Sequence, residues 1–216
     1  MIWLILLLIP VGFAWLHKRT HRYPFSPAVT LSCGGISLLC GCPVLALGLC
    51  VSALGDWFLN HERGRSGYFF GGVGGFFLGH LCFLTHSLIR GGVSWVCAGI
   101  SLLIFALISL FLLRRLRIRE RGIRYAVVLY ALISCFSFGC SLRGGFDVLP
   151  GILFTAGIFM ILFSDCIIAL SRFGAVKGIG KWIMPTYFAC HILIAAACIV
   201  DGRGFFCRFE VMDYAA

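Results

Sequence analysis

The sequence predicts an all-α membrane protein, a polytopic bundle of about eight transmembrane helices. Hydrophobic residues make up 61% of its 216 positions and charged residues 12%, with a mean hydropathy of +1.02. A soluble domain of this size would need more polar surface. Apolar runs of roughly 18–25 residues recur along the whole chain, long enough to cross a bilayer. Those runs are continuous rather than alternating over about ten residues, which selects helices over a barrel.

The expected spans are Ile2–Leu16, Ala28–Gly41, Pro43–Asn60, Tyr68–Leu88, Val93–Leu113, Ile123–Leu142, Val148–Leu170 and Trp182–Val200. Ala28–Asn60 reads either as one long tilted helix or as two short ones broken at Cys40-Gly41-Cys42-Pro43. Charge decides between them. With a break, fourteen of the eighteen Lys and Arg residues fall in alternate loops on one side. Without it they scatter over both sides, so the positive-inside rule favours eight spans, with both termini outside and the basic loops cytoplasmic. Gly41 and Pro43 are the residue types such a break uses. The sequence divides into one transmembrane domain, 1–200, and a short C-terminal tail, 201–216. No basic residue precedes the first apolar run, and His17–Arg22 follows it, so this run reads as a span and not as a cleavable signal. The expected location is an integral, multi-pass one, in the inner membrane of the cell for a bacterial chain.

A net charge of +10 invites a nucleic-acid partner, but the basic residues sit in short gaps between apolar runs, as membrane anchors do. Membrane lipids are the expected partners; nucleic acid is not, and no protein partner is evident. The twelve cysteines lie mostly inside apolar runs, contain no CxxC, and read as small apolar residues rather than a metal or disulfide framework. Gly67, Gly71, Gly75 and Gly79 recur every four residues, a stripe that lets a second helix approach the fourth span closely.

Only two acids, Asp56 and Asp165, lie well within spans. Each costs about 2.5–3.5 kcal/mol to insert, so each is retained for a reason. The candidate supporting residues are His80, Tyr187 and His191. Counting at 1.5 Å per residue puts Asp56, Asp165, Tyr187 and His191 about 6–14 Å from the basic face and His80 about 18 Å. All five therefore belong to the same half of the bilayer, as for one cavity opening to one leaflet. His80 fits either a site residue or an interhelical hydrogen bond. His86 reads as interfacial, and the hydroxyls of Ser52 and Thr155 as bonding back to their own helices. Asp56, His80, Asp165 and His191 have metal-ligand side chains, but four ligands on four helices carry no spacing signature, so no metal or other cofactor is expected. GxSxG, HExxH and P-loop motifs are absent from the sequence.

The succession LGDWFL (54–59), FFGGVGGFFLGHLCF (69–83), Ser164-Asp165 after GILFTAGIFMILF (151–163), and PTYFACHILI (185–194) resembles the lysoplasmalogenase-like (YhhN-like) integral membrane proteins. The resemblance covers nearly the whole chain in the right order. It departs at Ser26-Pro27, where the family often has Lys-Pro, and at His191, where a glutamine is expected.

The resemblance implies hydrolysis of the alkenyl (vinyl) ether of a lysoplasmalogen, a lysophospholipid substrate reached within the bilayer. The products are a fatty aldehyde and a glycerophospho-ethanolamine or -choline. Such chemistry needs one protonated acid to deliver a proton to carbon and one carboxylate to face the oxocarbenium ion, as in glycosidases. Asp56 and Asp165 form the candidate catalytic pair, with the acid unassigned between them. His80, Tyr187 and His191 would orient water or glycerol oxygens, and Arg63 and Lys181 could attract the headgroup phosphate. Two alternatives remain: a proton-coupled transporter of a small solute, and a non-catalytic packing protein. Transporters often repeat their halves, and no second GD…GH unit is evident after Ile100.

Overall fold

A computed structural model describes residues 2–22, 24–62, 66–92, 94–118, 120–144, 148–174, 176 and 178–201. The described residues form eight α-helices: α1 Leu8–Thr20, α2 Phe25–Leu39, α3 Pro43–Asn60, α4 Ser66–Gly91, α5 Trp95–Arg115, α6 Arg121–Ser141, α7 Leu149–Phe173 and α8 Ile183–Asp201. Short 3-10 helices precede α1 (Ile2–Leu7) and α8 (Ile179–Trp182). Six helical segments are long and apolar enough to cross a bilayer, and this is an integral, multi-pass α-helical membrane protein. The remaining two are α1 and the shorter apolar helix Phe25–Leu39. The expected tail lies outside the described residues from 202 onward.

The break between α2 and α3 falls where Gly41 and Pro43 predict it. Gly41 takes a positive φ of 73°, which a residue without Cβ adopts at little cost. Cys42 N–H donates back to Ser37 O at 2.9 Å, and Pro43 opens α3 at a position that needs no N–H donor. The first expected span differs more: its start is 3-10, and α1 continues through His17, Lys18 and Arg19 to Thr20.

Six helices close a ring in the order α2, α3, α4, α6, α7, α8 and back to α2, each packed on its two neighbours. Outside it, α1 lies against α2 and α5 against α6. The apolar side chains Val96, Leu103 and Leu107 of α5 stay exposed, as suits a lipid-facing helix. Inside the ring, Val29, Leu45, Leu49, Phe83, Ile158 and Ile194 are buried in one apolar core. Cys33, Cys135 and Cys190 are fully buried thiols, in keeping with their reading as small apolar residues. At the basic end, Arg117 N–H donates to Phe173 O at 2.9 Å, tying the α5–α6 connection to the end of α7. Arg90 and Asp201 pair at 2.6 Å at the other end.

The glycine stripe on α4 packs against α3, with one change of register. A Cβ on Gly75 would stand 2.9 Å from the Gly55 backbone, and one on Gly71 would stand 3.0 Å from the Phe58 ring. Gly79 abuts Ser52. Gly67 meets nothing within 4 Å, while Gly72, off the expected stripe, approaches Gly55 O and Leu59. Partner glycines on α3, Gly48 and Gly55, complete the contact. Gly75→Val should therefore destabilise the fold by about 1–3 kcal/mol through overpacking against backbone. Gly74→Ala, on open space, should stay within about 0.5 kcal/mol of the parent. Equal melting temperatures of the two variants in detergent would contradict this packing.

Candidate active site

Each acid within the ring is surrounded by donors from other helices. Asp56, near the basic end of α3, is 7% exposed. Its Oδ2 accepts from Tyr187 OH at 2.8 Å and from Ser26 Oγ and Thr30 Oγ1 at 3.4 Å each. Ser26 and Thr30 stand four apart on α2 and so share a face. The Tyr187 ring meets His191 edge-on, with centroids 4.3 Å apart, and Phe76 at 5.9 Å.

Asp165 on α7 has a matching environment. Ser134 Oγ donates to its Oδ2 at 3.1 Å, and His80 Nε2 lies 3.3 Å from the same oxygen. The same nitrogen is 2.9 Å from Ser134 Oγ and 3.1 Å from Tyr130 OH. Ser137 Oγ donates to the backbone carbonyl of His80 at 2.9 Å, anchoring α4 to α6 there. An ionised Asp165 accepts from a proton-bearing Nε2 and a protonated Asp165 donates to a bare one, so the imidazole tautomer follows the charge of the acid. His80 Nδ1, Ser164 Oγ and His191 Nδ1 are buried without a protein partner among the described residues.

The five expected residues thus form two groups: Asp56 with Tyr187 and its neighbour His191, and Asp165 with His80. Phe76 stands between them, touching Tyr187 and lining the cavity beside Asp165. That cavity, about 70 Å³, is almost wholly apolar and is walled by Val73, Phe76, Val127 and Tyr130, with Arg172 also on its lining. A second, of about 30 Å³, joins Asp165 to Ser134 and Cys166. A single cavity shared by all five residues was the expectation. Instead, of the five, only Asp165 lines either of these spaces, because Asp56 is closed in by its hydroxyl partners. A larger cavity, about 300 Å³, lies at the opposite end beside His86 and Arg90.

Helix packing exposes a repeat. α1–α4 and α5–α8 pack in the same pattern, and the halves meet where α2 touches α8 and α4 touches α6. Gly48, Asp56 and Arg63 recur at identical spacing as Gly157, Asp165 and Arg172. Phe76-Phe77-Leu78-Gly79-His80 recurs as Tyr187-Phe188-Ala189-Cys190-His191. Ser26 and Thr30 on α2 correspond to Tyr130 and Ser134 on α6. Each acid takes hydroxyl partners from the second helix of its own half. It takes a further partner from the fourth helix of the other half, Tyr187 for Asp56 and His80 for Asp165. A counterpart of the GD…GH unit follows Ile100 as Ser164-Asp165 and Cys190-His191, with both glycines replaced. The replaced glycines conceal it.

A family model described as the YhhN family matches residues 2–198. The chain belongs to the YhhN family. Comparisons with curated proteins and with solved structures return no match. The YhhN-like motifs place both acids, but four of their hydrogen-bond partners, Ser26, Thr30, Tyr130 and Ser134, escape a reading of the sequence. Polar residues four apart within an apolar run were the available signal. Ser26 stands where a lysine is common in the family, and here it reaches Asp56.

Among the other candidates, Lys181 lies near the Trp182 ring, 5.8 Å from its centroid, and Arg63 falls outside the described residues. Ser52 bonds back to Gly48 O at 2.8 Å as expected. Thr155 instead donates to Ser141 O on α6, because the two chain segments lie side by side there. Among the described residues, no three His, Cys, Asp or Glu side chains come together as a metal site. Tyr187→Phe removes the closest donor to a buried acid without changing volume. It should cost about 1–3 kcal/mol of stability, read as a lower melting temperature, and no change would contradict the hydrogen bond's contribution.

Proposed function

We propose that this chain hydrolyses the alkenyl ether bond of lysoplasmalogens, releasing a fatty aldehyde and a glycerophospho-ethanolamine or -choline. The observation that carries the reading is Asp165: a carboxyl group at the wall of an apolar cavity, within 3.3 Å of a histidine nitrogen, in a YhhN-family chain. The vinyl ether segment suits that apolar lining, and the reacting carbon then lies beside the acid.

Protonated Asp165 delivers its proton to the vinyl carbon β to oxygen. The C=C electron pair forms the new C–H bond, and the ether carbon becomes an oxocarbenium ion. Water adds to that carbon, and the proton it sheds returns to the Asp165 carboxylate. The resulting hemiacetal collapses to aldehyde and a free glycerol hydroxyl, moving one proton to the departing oxygen. His80 positions Asp165 and exchanges protons with it. Asp56, held by Tyr187, Ser26 and Thr30 outside the cavity, acts on the cation through the protein interior, where low dielectric carries an electrostatic effect farther than in water. His191 positions Tyr187 through the edge-on ring contact.

All eight helices cross the membrane in this reading, the bilayer thinning or the helices tilting to suit the short α2. Both termini lie outside and the basic loops face the cytoplasm, so the substrate enters from the inner leaflet.

The duplicated halves, each with an acid on its third helix and a histidine on its fourth, favour one other reading, a proton-coupled transporter. Sealed vesicles of known orientation containing purified protein distinguish the two. The hydrolase releases aldehyde from alkenyl lysophospholipid presented to the basic-loop side and not from acyl lysophospholipid. Asp165→Asn and Asp56→Asn each lower turnover by about 10²–10⁴-fold while the protein stays folded. Proton flux coupled to solute uptake, with no aldehyde from the parent protein, would overturn the hydrolase reading.

A further inference from the structure

The cavity beside Asp165 carries one charged side chain besides that acid, Arg172. Arg172 follows Asp165 by seven residues, two helical turns, so the two share a face of α7 about 10 Å apart along its axis. Its guanidinium lies 5.0 Å over the Phe69 ring, and its Nη2 donates to Glu62 at the end of α3. Phe69 lines the same cavity. The arrangement is an apolar slot with an acid inside it and an aromatic-backed guanidinium farther along its wall, toward the basic face.

We propose that Arg172 is the phosphate-binding residue of the substrate site, with Glu62 as the competing carboxylate that the phosphate approaches. The proposal rests on the hydrolase reading of Asp165. In a lysoplasmalogen the vinyl carbon that takes the proton is about seven bonds from phosphorus, roughly 9 Å when extended. That length is comparable with the backbone rise from Asp165 to Arg172, and the flexible Arg172 side chain brings its guanidinium within reach of the same molecule. The acid then meets the reacting carbon, and the glycerol segment between acid and guanidinium passes Val73, Phe76 and Val127, with the hydrocarbon chain continuing past Asp165 away from the basic face. A guanidinium has five donors in a planar fork, so it holds a phosphate oxygen as well as a carboxylate, and the Phe69 ring keeps it flat. Glu62 holds Arg172 in place when no lipid is bound and repels the incoming phosphate. The same Asp-to-Arg spacing occurs in the first half at Asp56 and Arg63.

Binding without turnover isolates this site from the chemistry. Purified full-length protein in maltoside micelles is titrated with a 1-O-alkyl lysophosphatidylcholine, which has no vinyl ether to cleave, and with the matching 1-O-alkyl glycerol, which has no phosphate. The parent should prefer the phosphate-bearing ligand by roughly tenfold or more, in the range of a charge-assisted hydrogen bond. Arg172→Gln should abolish that preference and leave alkyl glycerol binding unchanged, with Arg172→Lys intermediate. Glu62→Gln should tighten binding of the phosphate-bearing ligand, because it removes a like charge. Equal weakening by Arg172→Gln and Glu62→Gln would mean that the pair is only a structural tie, and would overturn the proposal. So would a parent that binds the two ligands alike. Normal phosphate preference with no aldehyde release would instead refute the hydrolase reading and leave the phosphate site standing.

Discussion

A carboxyl group inside a membrane helix has no water to turn to, so a neighbouring helix must bring it donors. This chain meets that requirement twice, and the order of the ring follows from it. Asp56 can take Tyr187 as a partner only if α8 lies next to the α2–α3 pair. Asp165 can take His80 only if α4 lies next to α6 and α7. These cross-links join the two halves of the chain to each other, and each passes from one half to the other. The close contact of α3 with α4 at Gly55 and Gly75 then sets the register of His80 relative to Asp56.

Such matched halves need not do matched work. Asp56 is closed in by three hydroxyl groups and lines neither small cavity, whereas Asp165 lines both. One difference sits at Phe76 and its counterpart Tyr187. The tyrosine hydroxyl reaches Asp56, while the phenylalanine has none to offer and leaves an apolar wall beside Asp165. The other sits at Ser134, which bridges His80 and Asp165, whereas its counterpart Thr30 lies between Asp56 and Tyr187. A few side-chain changes are enough to turn two equivalent positions into one enclosed acid and one at the wall of a small apolar cavity.

Much of this was legible in the sequence where the governing physics is local. Acids in apolar runs stand out because hydrocarbon penalises them, and the α2–α3 break shows because Gly41 and Pro43 act on their own backbone. Partnership is different. Tyr187 is 131 residues from Asp56, and nothing near either residue reveals that α8 closes the ring against α2. Ser26 and Thr30 were hidden for another reason: hydroxyls in membrane helices often bond their own backbone, as Ser52 does, so their presence alone says little. The repeat was concealed by Gly55 becoming Ser164 and Gly79 becoming Cys190, small-for-small replacements that keep helices close while erasing the motif. Among the described residues the five divide into two groups, because equal depth along the membrane normal says nothing about position around the ring.

In the proposed reaction, substrate chemistry takes place at Asp165, in the slot that leads to Arg172. A structure of the full chain bound to a 1-O-alkyl lysophospholipid tests it directly. The expected density has the ether oxygen beside the Asp165 carboxyl group, the glycerol between Val73 and Val127, and the phosphate at Arg172. Density for the lipid in the larger cavity beside His86 and Arg90, with the Asp165 slot empty, would contradict it.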